Sequence, residues 1–347
     1  MKKVISVFMC LAMATTLLVG CGSKSEGTAS TKSSNKATET GTEIGAKAGE
    51  DIDWPKKEIQ IICPFAAGGD TDFNARTYAQ YLTDELGQKV VVISTDGNGG
   101  ATGARAGKDA ANDGYNILFT SSAFLTNQLS GAVDFGFDAF EFSAIAGASS
   151  GNVVTVSKEL GVSNFEELVE YSKEHPGELK MAANTGATTQ AIALMVKEAG
   201  VDANIVDSGG SSDRIAALLG GQIDIIINNY GSIKDYLANG DFVAIGLDTA
   251  TPNAIMKETG LTTCKEQGYD VVFPSYYFFM FPKGTDPAIV QKFSKAVKEV
   301  AENNTEYAES IATAYYQVPV YYDSEEGLKL MEEALTSLDK FKDEFKN

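Results

Sequence analysis

One histidine, one tryptophan, three arginines and four cysteines in 347 residues leave little material for most catalytic chemistry. The histidine, His175, sits in Glu174-His175-Pro176-Gly177, where a helix ends and a turn begins, and reads as a solvated surface residue. Ser–His–Asp and Cys–His mechanisms need a histidine held beside a nucleophile, and no second histidine or nucleophile elbow is present. The cysteines stand at 10, 21, 63 and 264, without zinc-ligand spacing. A carboxylate pair has abundant raw material but no distinguishing pocket pattern. The expectation is a protein that is not an enzyme and needs no cofactor and no metal.

Positive charge is scarce as well. Lysine and arginine total 28 against 47 acidic residues, a formal net charge of −19. No basic stripe appears, which argues against nucleic acid as a partner. Past residue 20, no run is long and apolar enough to span a bilayer.

The first twenty residues differ from the rest. Lys2 and Lys3 precede an apolar run from Val4 to Gly20, the pattern of a secretory signal peptide. It closes on Leu18-Val19-Gly20-Cys21, which resembles a bacterial lipobox and makes Cys21 the expected lipidation site. Residues 22–50 carry Ser, Thr, Gly, Lys, Glu and Ala with no aromatic residue, so 21–50 reads as a lipidated flexible tether. Without Lys2 and Lys3 the balance is 26 basic to 47 acidic residues, or −21. The expected location is the outer face of the bacterial cell membrane, with membrane contact only through the lipid. Cys63 and Cys264 remain in the body, either as buried core thiols or as a disulfide.

What the body does contain is a repeated strand–glycine loop–helix grammar. Ile59 to Cys63 is an apolar run suited to a buried strand. Gly68-Gly69 follow, then Asp70, Thr71 and Asp72 as helix-start residues, and then Phe73, Tyr78, Tyr81, Leu82 and Leu86 at helical spacing. A second copy runs from Leu179: a short strand, Asn184-Thr185-Gly186-Ala187-Thr188-Thr189, then a helix through Leu194 and Val196. Glycine loops bring backbone close to a ligand, and helix starts offer unpaired N–H groups to an anion. Asp96 to Gly103 is also glycine-rich, but its spacing does not fit a dinucleotide fingerprint.

The alternation continues with strands over 89–94, 115–120, 153–157, 180–183, 205–207, 223–228, 242–247 and 275–281. A helix over 164–174 is expected to be capped by Ser163, and helices over 287–303, 305–314 and 324–346 close the chain. This is an α/β pattern with largely parallel sheets, in which ligands sit beyond the carboxyl ends of the strands.

Several short motifs occur in a fixed order: Pro64-Phe65-x-x-Gly68-Gly69 with Asp72 and Arg76; Gly99-Gly100 with Gly103; Asp113-Gly114-Tyr115; Leu218-Leu219-Gly220-Gly221-Gln222-Ile223-Asp224; and Phe281-Pro282-Lys283-Gly284-Thr285. Together they resemble the solute-binding receptors of tripartite tricarboxylate transporters, the Bug-type family, from about Trp54 to the C-terminus. The resemblance implies an α/β, two-lobed, periplasmic-binding-protein-like fold (type II, a Venus flytrap) with two inter-lobe crossings, near 147–152 and 273–276. Lobe one is then 52–150 with 275–347, and lobe two 151–274. It implies a carboxylate held by backbone N–H groups, hydroxyls and ordered water, and delivery to a two-component integral-membrane permease. The receptor is expected to be a monomer.

The expected ligand contacts follow. They are Phe65, Ala66, Ala67, Gly68, Gly69, Asp72, Ser121 and Ser122 in lobe one. In lobe two they are Thr185, Gly186, Thr188, Thr189, Asp207, Ser208, Gly209 and Asn228, with Tyr276 or Tyr277 at the crossing. Thr188, Ser208 and Ser211 serve equally well as plain helix caps. None of Arg76, Arg105 and Arg214 lies in a glycine loop, which argues against an arginine clamp. Departures from the family pattern bear on the solute. Ala66-Ala67 stand where many relatives have Pro-Pro, Thr189-Gln190 where many have Ser/Thr-His, and Asp207-Ser208-Gly209 where many have Tyr-Lys-Gly. An aspartate in place of a lysine disfavours a highly charged anion and favours a monocarboxylate, or an amino acid whose ammonium meets Asp207. A receptor for another transporter class, or a ligand-sensing lipoprotein, stays open as an alternative.

Overall fold

The computed structural model describes residues 52–250 and 253–346. The expected signal peptide (1–20), tether (21–50) and Cys21 lie outside the described residues. Among the described residues no helix is long and apolar enough to cross a membrane.

The chain builds two sheets in succession. The first segment runs β1 (Ile59–Cys63), α1 (Asp70–Leu86), β2 (Val90–Ser94), α2 (Ala101–Asp109), β3 (Asn116–Ser121), α3 (Ala123–Leu129) and β4 (Phe140–Ala148). The second runs β5 (Asn152–Ser157), α4 (Phe165–Glu174), β6 (Leu179–Ala183), α5 (Thr188–Glu198), β7 (Ala203–Asp207), α6 (Ser211–Leu219), β8 (Ile225–Asn229), α7 (Tyr230–Ala238), β9 (Phe242–Leu247) and α8 (Ala254–Thr259). The chain then returns as β10 (Tyr276–Pro282), α9 (Pro287–Asn303), α10 (Thr305–Tyr315) and α11 (Ser324–Leu338).

Strand order is β2-β1-β3-β10-β4 in one sheet and β7-β6-β8-β5-β9 in the other. In each, three neighbouring strands are parallel, and the fourth, which follows a crossing, runs antiparallel to its neighbours. This topology fixes the site. β4 leaves its sheet at the carboxyl edge and, three residues later, β5 enters the other sheet at the edge where β6 and β8 end. So short a link makes the carboxyl edges of both sheets face one another across a cleft. The second crossing lies alongside the first: Ser149 N–H donates to Ser275 O at 2.9 Å and Phe273 N–H to Asp248 O at 3.0 Å. A third segment braces them, with Ala148 and Val318 exchanging backbone bonds at 2.9 and 2.8 Å.

The aromatic strand β10 shows how the sequence builds the first core. Successive side chains on a strand point to opposite faces. Phe279 meets Tyr78 of α1 and Phe293 of α9 edge-on, with centroids 5.3 and 5.1 Å apart. Phe278 packs on the other face against Phe142 of β4 at 5.4 Å. Both phenylalanines are fully buried, each contributing about 1.5–3 kcal/mol. In the second sheet Ile225, Ile226 and Ile227 of β8 are buried on both faces, as a central strand requires.

Two sequence expectations change. The α4 cap is Asn164, whose side chain accepts from Glu167 N–H, while Ser163 donates its N–H and hydroxyl to the Glu167 carboxylate. The C-terminal helix ends at Leu338 and gives way to two short 3-10 turns.

Cys63 and Cys264 are both free and fully buried, so no disulfide joins them. Burial pushes the Cys63 thiol up to about 12 and raises Cys264 as well. Both should resist alkylation in the native protein and react fully in denaturant, as mass mapping of iodoacetamide-treated peptides would show. Labelling of either thiol under native conditions would contradict this burial.

Candidate functional site

The lobe-one wall starts from the loop after β1. Ala66, Ala67 and Gly68 are exposed, and Phe65 is half-buried with its ring against Gly100. Gly68 has φ +85°, a backbone state that suits glycine. The loop is held by its own groups. Gly68 N–H donates to Asp72 Oδ2 at 3.0 Å, Gly68 O accepts from Tyr315 OH at 2.7 Å, and Gly69 N–H reaches Ala66 O at 3.4 Å.

Asp72 therefore has a different part from the expected one. Its oxygens also accept from Arg76 Nε at 2.8 Å, Arg76 Nη2 at 2.9 Å and Ser94 Oγ at 2.9 Å. Four bonds occupy the four acceptor positions of a carboxylate. Burial alone would raise this carboxyl, but the bonds from Arg76, Gly68 and Ser94 outweigh it and hold it below the usual range. Asp72 shapes the loop and leaves no acceptor for a solute. The N-cap of α1 is Gly69, without a side-chain cap, and Asp70 is the first helical residue. Asp70 Oδ2 accepts from Tyr277 OH at 2.6 Å.

Ser122 is buried and bonded into the sheet. Its Oγ accepts from Tyr276 N–H at 2.9 Å, and its N–H donates to Tyr276 O. Ser121, half-buried, accepts from Ala123 N–H at 3.4 Å. Of the two crossing tyrosines, Tyr277 is the one that reaches Asp70. The Tyr276 ring turns to Tyr322, with centroids 6.1 Å apart.

The lobe-two wall uses the loops after β6 and β7. Thr185 is exposed, Gly186 is buried at φ +79°, and Thr188 is half-buried at the start of α5. Thr189 is buried, its Oγ1 accepting from Asn184 N–H at 3.0 Å. Gln190 Oε1 accepts from Gly186 N–H at 2.8 Å. Asp207 ties the two loops together by accepting from Thr185 N–H at 3.3 Å and Gly209 N–H at 3.1 Å. Burial works against its ionisation, but the Thr185 and Gly209 bonds and the nearby Arg214 hold the carboxyl below its ordinary value. Ser208 and Gly209 are half-buried, and Ser208 N–H donates to Ala183 O at 3.0 Å.

Asn228, at the carboxyl end of β8, is only 1% exposed and forms a support behind the wall. Its Nδ2 donates to Ser211 Oγ at 2.6 Å, and its Oδ1 accepts from Arg214 Nε at 3.0 Å. Arg214 is the residue that sequence reasoning passed over. It stands outside the glycine loop in sequence, but one helical turn carries its side chain back to Gly209 O, which accepts from Nη1 at 2.8 Å. It is 6% exposed. Burial pulls the guanidinium down to about 10, against the opposing influence of Asp70, Asp213 and Asp207, so it is charged at neutral pH.

The two walls touch at one edge of the cleft. A β-carbon on Gly99 would lie 2.5 Å from Thr185 O, so the loop before α2 meets the loop after β6 backbone to backbone. Asn127 of α3 bridges them, donating Nδ2 to Gly99 O at 3.1 Å and to Gly186 O at 2.5 Å. The two walls thus meet on this side, through groups from β6–α5, α3 and the turn before α2.

Residues 74–343 match the model of the tripartite tricarboxylate transporter family receptor. BugT of Bordetella pertussis is 30% identical over 257 residues, covering 72% of this chain and 78% of that protein. A solved periplasmic transporter protein superposes with a TM-score of 0.74 at 27% identity, covering 83% of this chain and 96% of that one. A structure of an R. palustris protein with adipate superposes at 0.75 and 23% identity, covering 83% and 97%, which supports the shared fold. Receptors of this kind bind solutes and are not enzymes, in keeping with a cleft walled by loops and helix starts. The chain belongs to the tripartite tricarboxylate transporter receptor family.

Proposed function

We propose that this chain is a lipid-anchored receptor outside the cytoplasmic membrane. It captures a small carboxylate-bearing solute between its lobes and presents the closed form to a two-component membrane permease. The observation that carries the reading is the meeting of the two carboxyl edges through Gly99, Asn127 and Gly186. A solute in such a cleft contacts both lobes at once and so favours the closed state over the open one. The loops at 65–69, 121–122, 185–189 and 207–209 supply the expected contacts, with Asp72 and Asn228 as supports behind them. The R. palustris neighbour of the same fold is solved with adipate, a small carboxylate, which supports a solute of that class. The lobes are assigned as 52–150 with 275–347, and 151–274, and the receptor as a monomer.

A thermal-shift screen of the purified protein against carboxylates and amino acids tests the reading. A solute at a hundred times its dissociation constant should stabilise the protein by about 2.7 kcal/mol. A folded protein that responds to none of them would refute carboxylate capture. Cys21→Ala should move the protein from the membrane fraction to the soluble one. Its retention in the membrane fraction would remove the lipid anchor from the reading.

A further inference from the structure

α10 closes on Tyr316, which stands at φ +57° and ψ +28°, the left-handed conformation. α1 and α8 end in the same conformation, but with glycines, Gly87 and Gly260. Asn98 is the other non-glycine residue at positive φ among the described residues, and asparagine tolerates that state. A bulky tyrosine is strained there, and such strain persists only where the surroundings hold it.

The groups that hold it come from both lobes. α10 packs against α1 and α9, and its end meets α7. A β-carbon on Gly231 of α7 would lie 2.7 Å from Ala314 O and 3.1 Å from Tyr315 Cα, so the two helix ends touch backbone to backbone. Tyr316 serves lobe two. Its ring meets Tyr230 of α7 edge-on, with centroids 4.9 Å apart. Its OH donates to the Glu258 carboxylate of α8, 2.8 and 3.0 Å from the two oxygens. Burial and Glu258 push this phenol up to about 12, so it remains a donor at neutral pH. Its backbone carbonyl accepts from Ser150 Oγ at the first crossing. Tyr315 serves lobe one. Its ring packs on Phe73 of α1, with centroids 5.5 Å apart, and its OH donates to Gly68 O at 2.7 Å. Two consecutive side chains thus join opposite lobes at one corner.

Resting on the receptor reading above, we propose that this corner couples the lobes to the solute loop. Tyr316 fixes the corner to α7 and α8, and Tyr315 thereby positions Gly68. Gly68 is held from two directions, its N–H by Asp72 and its carbonyl by Tyr315. A swing of lobe two that breaks the Glu258 contact frees the corner. The strained turn at Tyr316 then relaxes and carries Tyr315 off Gly68. Both tyrosines are positioning residues: they set the loop at 65–69 for solute in one arrangement of the lobes.

Hydrogen exchange of the solute-free protein, read over residues 65–69, tests this. The held amides are Gly68 N–H on Asp72 and Gly69 N–H on Ala66 O. Tyr315→Phe removes the bond to Gly68 O and should speed their exchange at least about threefold. Glu258→Ala changes an exposed residue of the other lobe and should leave the core intact. It too should speed exchange in 65–69 at least about threefold, and adding it to Tyr315→Phe should give little beyond Tyr315→Phe alone. Tyr316→Gly, unstrained at that φ, should fold and loosen the same segment. A corner with only a local structural part would show faster exchange around 254–259 and 314–318 in Glu258→Ala and none in 65–69, which overturns the inference. Full additivity of the two substitutions overturns it as well, and so does wild-type exchange of 65–69 at the unprotected rate. The readout needs no solute. A failed carboxylate screen therefore refutes the receptor reading alone, and unchanged exchange in Glu258→Ala refutes the coupling alone.

Discussion

A Gly99→Ala receptor is expected to fold, to keep its secondary structure, and to bind its solute about 5- to 150-fold more weakly than wild type. The added methyl would sit 2.5 Å from Thr185 O, 2.7 Å from Gly186 C and 2.9 Å from Ala187 N. All three are backbone atoms, which cannot swing aside as a side-chain tip does. They belong to the facing lobe, so the overlap exists only when the cleft is shut. Overpacking of this kind costs about 1–3 kcal/mol. Because every 1.4 kcal/mol is about tenfold, a cost confined to the closed state appears as the stated loss of affinity. Gly99 also sits at φ +61°, where an alanine is strained by about 1–2 kcal/mol. That strain is present in open and closed forms alike and lowers the melting temperature without altering affinity. Gly87→Ala, at the far end of α1, separates the two effects. It too has positive φ, +64°, but a methyl added there meets nothing within 4 Å. It should destabilise comparably and bind nearly normally. Titration calorimetry with solution scattering decides the matter: Gly99→Ala should lack most solute-induced compaction at concentrations that saturate wild type. Wild-type affinity in Gly99→Ala would mean that the solute-bound state does not bring these loops together.

The contrast between what the sequence disclosed and what it hid has a physical basis. β1 and α9 were legible to the residue. An apolar run bounded by Pro64, and Pro287 following the Asp286 cap, are local signals that tertiary packing does not override. β4 was not anticipated. Phe-Glu-Phe-Ser-Ala-Ile-Ala-Gly-Ala is rich in small residues and lacks turn punctuation, and its strand identity comes from pairing with β10, well over a hundred residues later. The glycine loops were visible as candidate walls, yet the contact of Gly99 with Thr185 joins segments 86 positions apart and leaves no periodic trace. Arg214 was hidden by a narrower cause. Distance along the chain is not distance in space here, because a helix returns the fourth residue to the level of the first. Arg214 N–H bonds Gly210 O at 3.1 Å, and the guanidinium then lies against Gly209. Asp72 was visible as a helix-start residue but not as a saturated one, because its partners Arg76 and Ser94 come from the next helical turn and the next strand.

The largest stability effect is expected at the crossings, where Asp248→Asn should make the protein more stable above neutral pH and less pH-dependent below it. Asp248 follows β9 and is fully buried. Its carboxylate accepts from Asn152 N–H at 2.5 Å and Asn152 Nδ2 at 3.0 Å, tying the second crossing to the start of β5. Gly151, at φ +104°, passes so close that a β-carbon there would lie 2.8 Å from Asp248 Oδ1. Burial pushes this carboxyl from 3.8 up to about 7, and the Asn152 bonds reverse only part of the rise. Cys264, whose own thiol is raised by burial and by Asp248, is the titratable neighbour. The folded state thus holds a proton that the unfolded chain releases at about 4. Stability is then greatest below pH 4 as far as this group is concerned, falls between about 4 and 7, and stays low above 7. At about 1.4 kcal/mol per pH unit, the gap amounts to up to about 4 kcal/mol. An asparagine does not ionise, and a turned Asn152 amide still supplies it with a partner. Urea melts at pH 5 and pH 8 should therefore show the wild type losing stability across that interval relative to Asp248→Asn, with the variant the more stable at pH 8. Parallel pH profiles for the two proteins would place the ionisation of Asp248 outside the interval and leave the clamp as a purely geometric tie. If the profiles diverge as expected, the two crossings that govern lobe closure are joined by a group whose charge changes near neutrality.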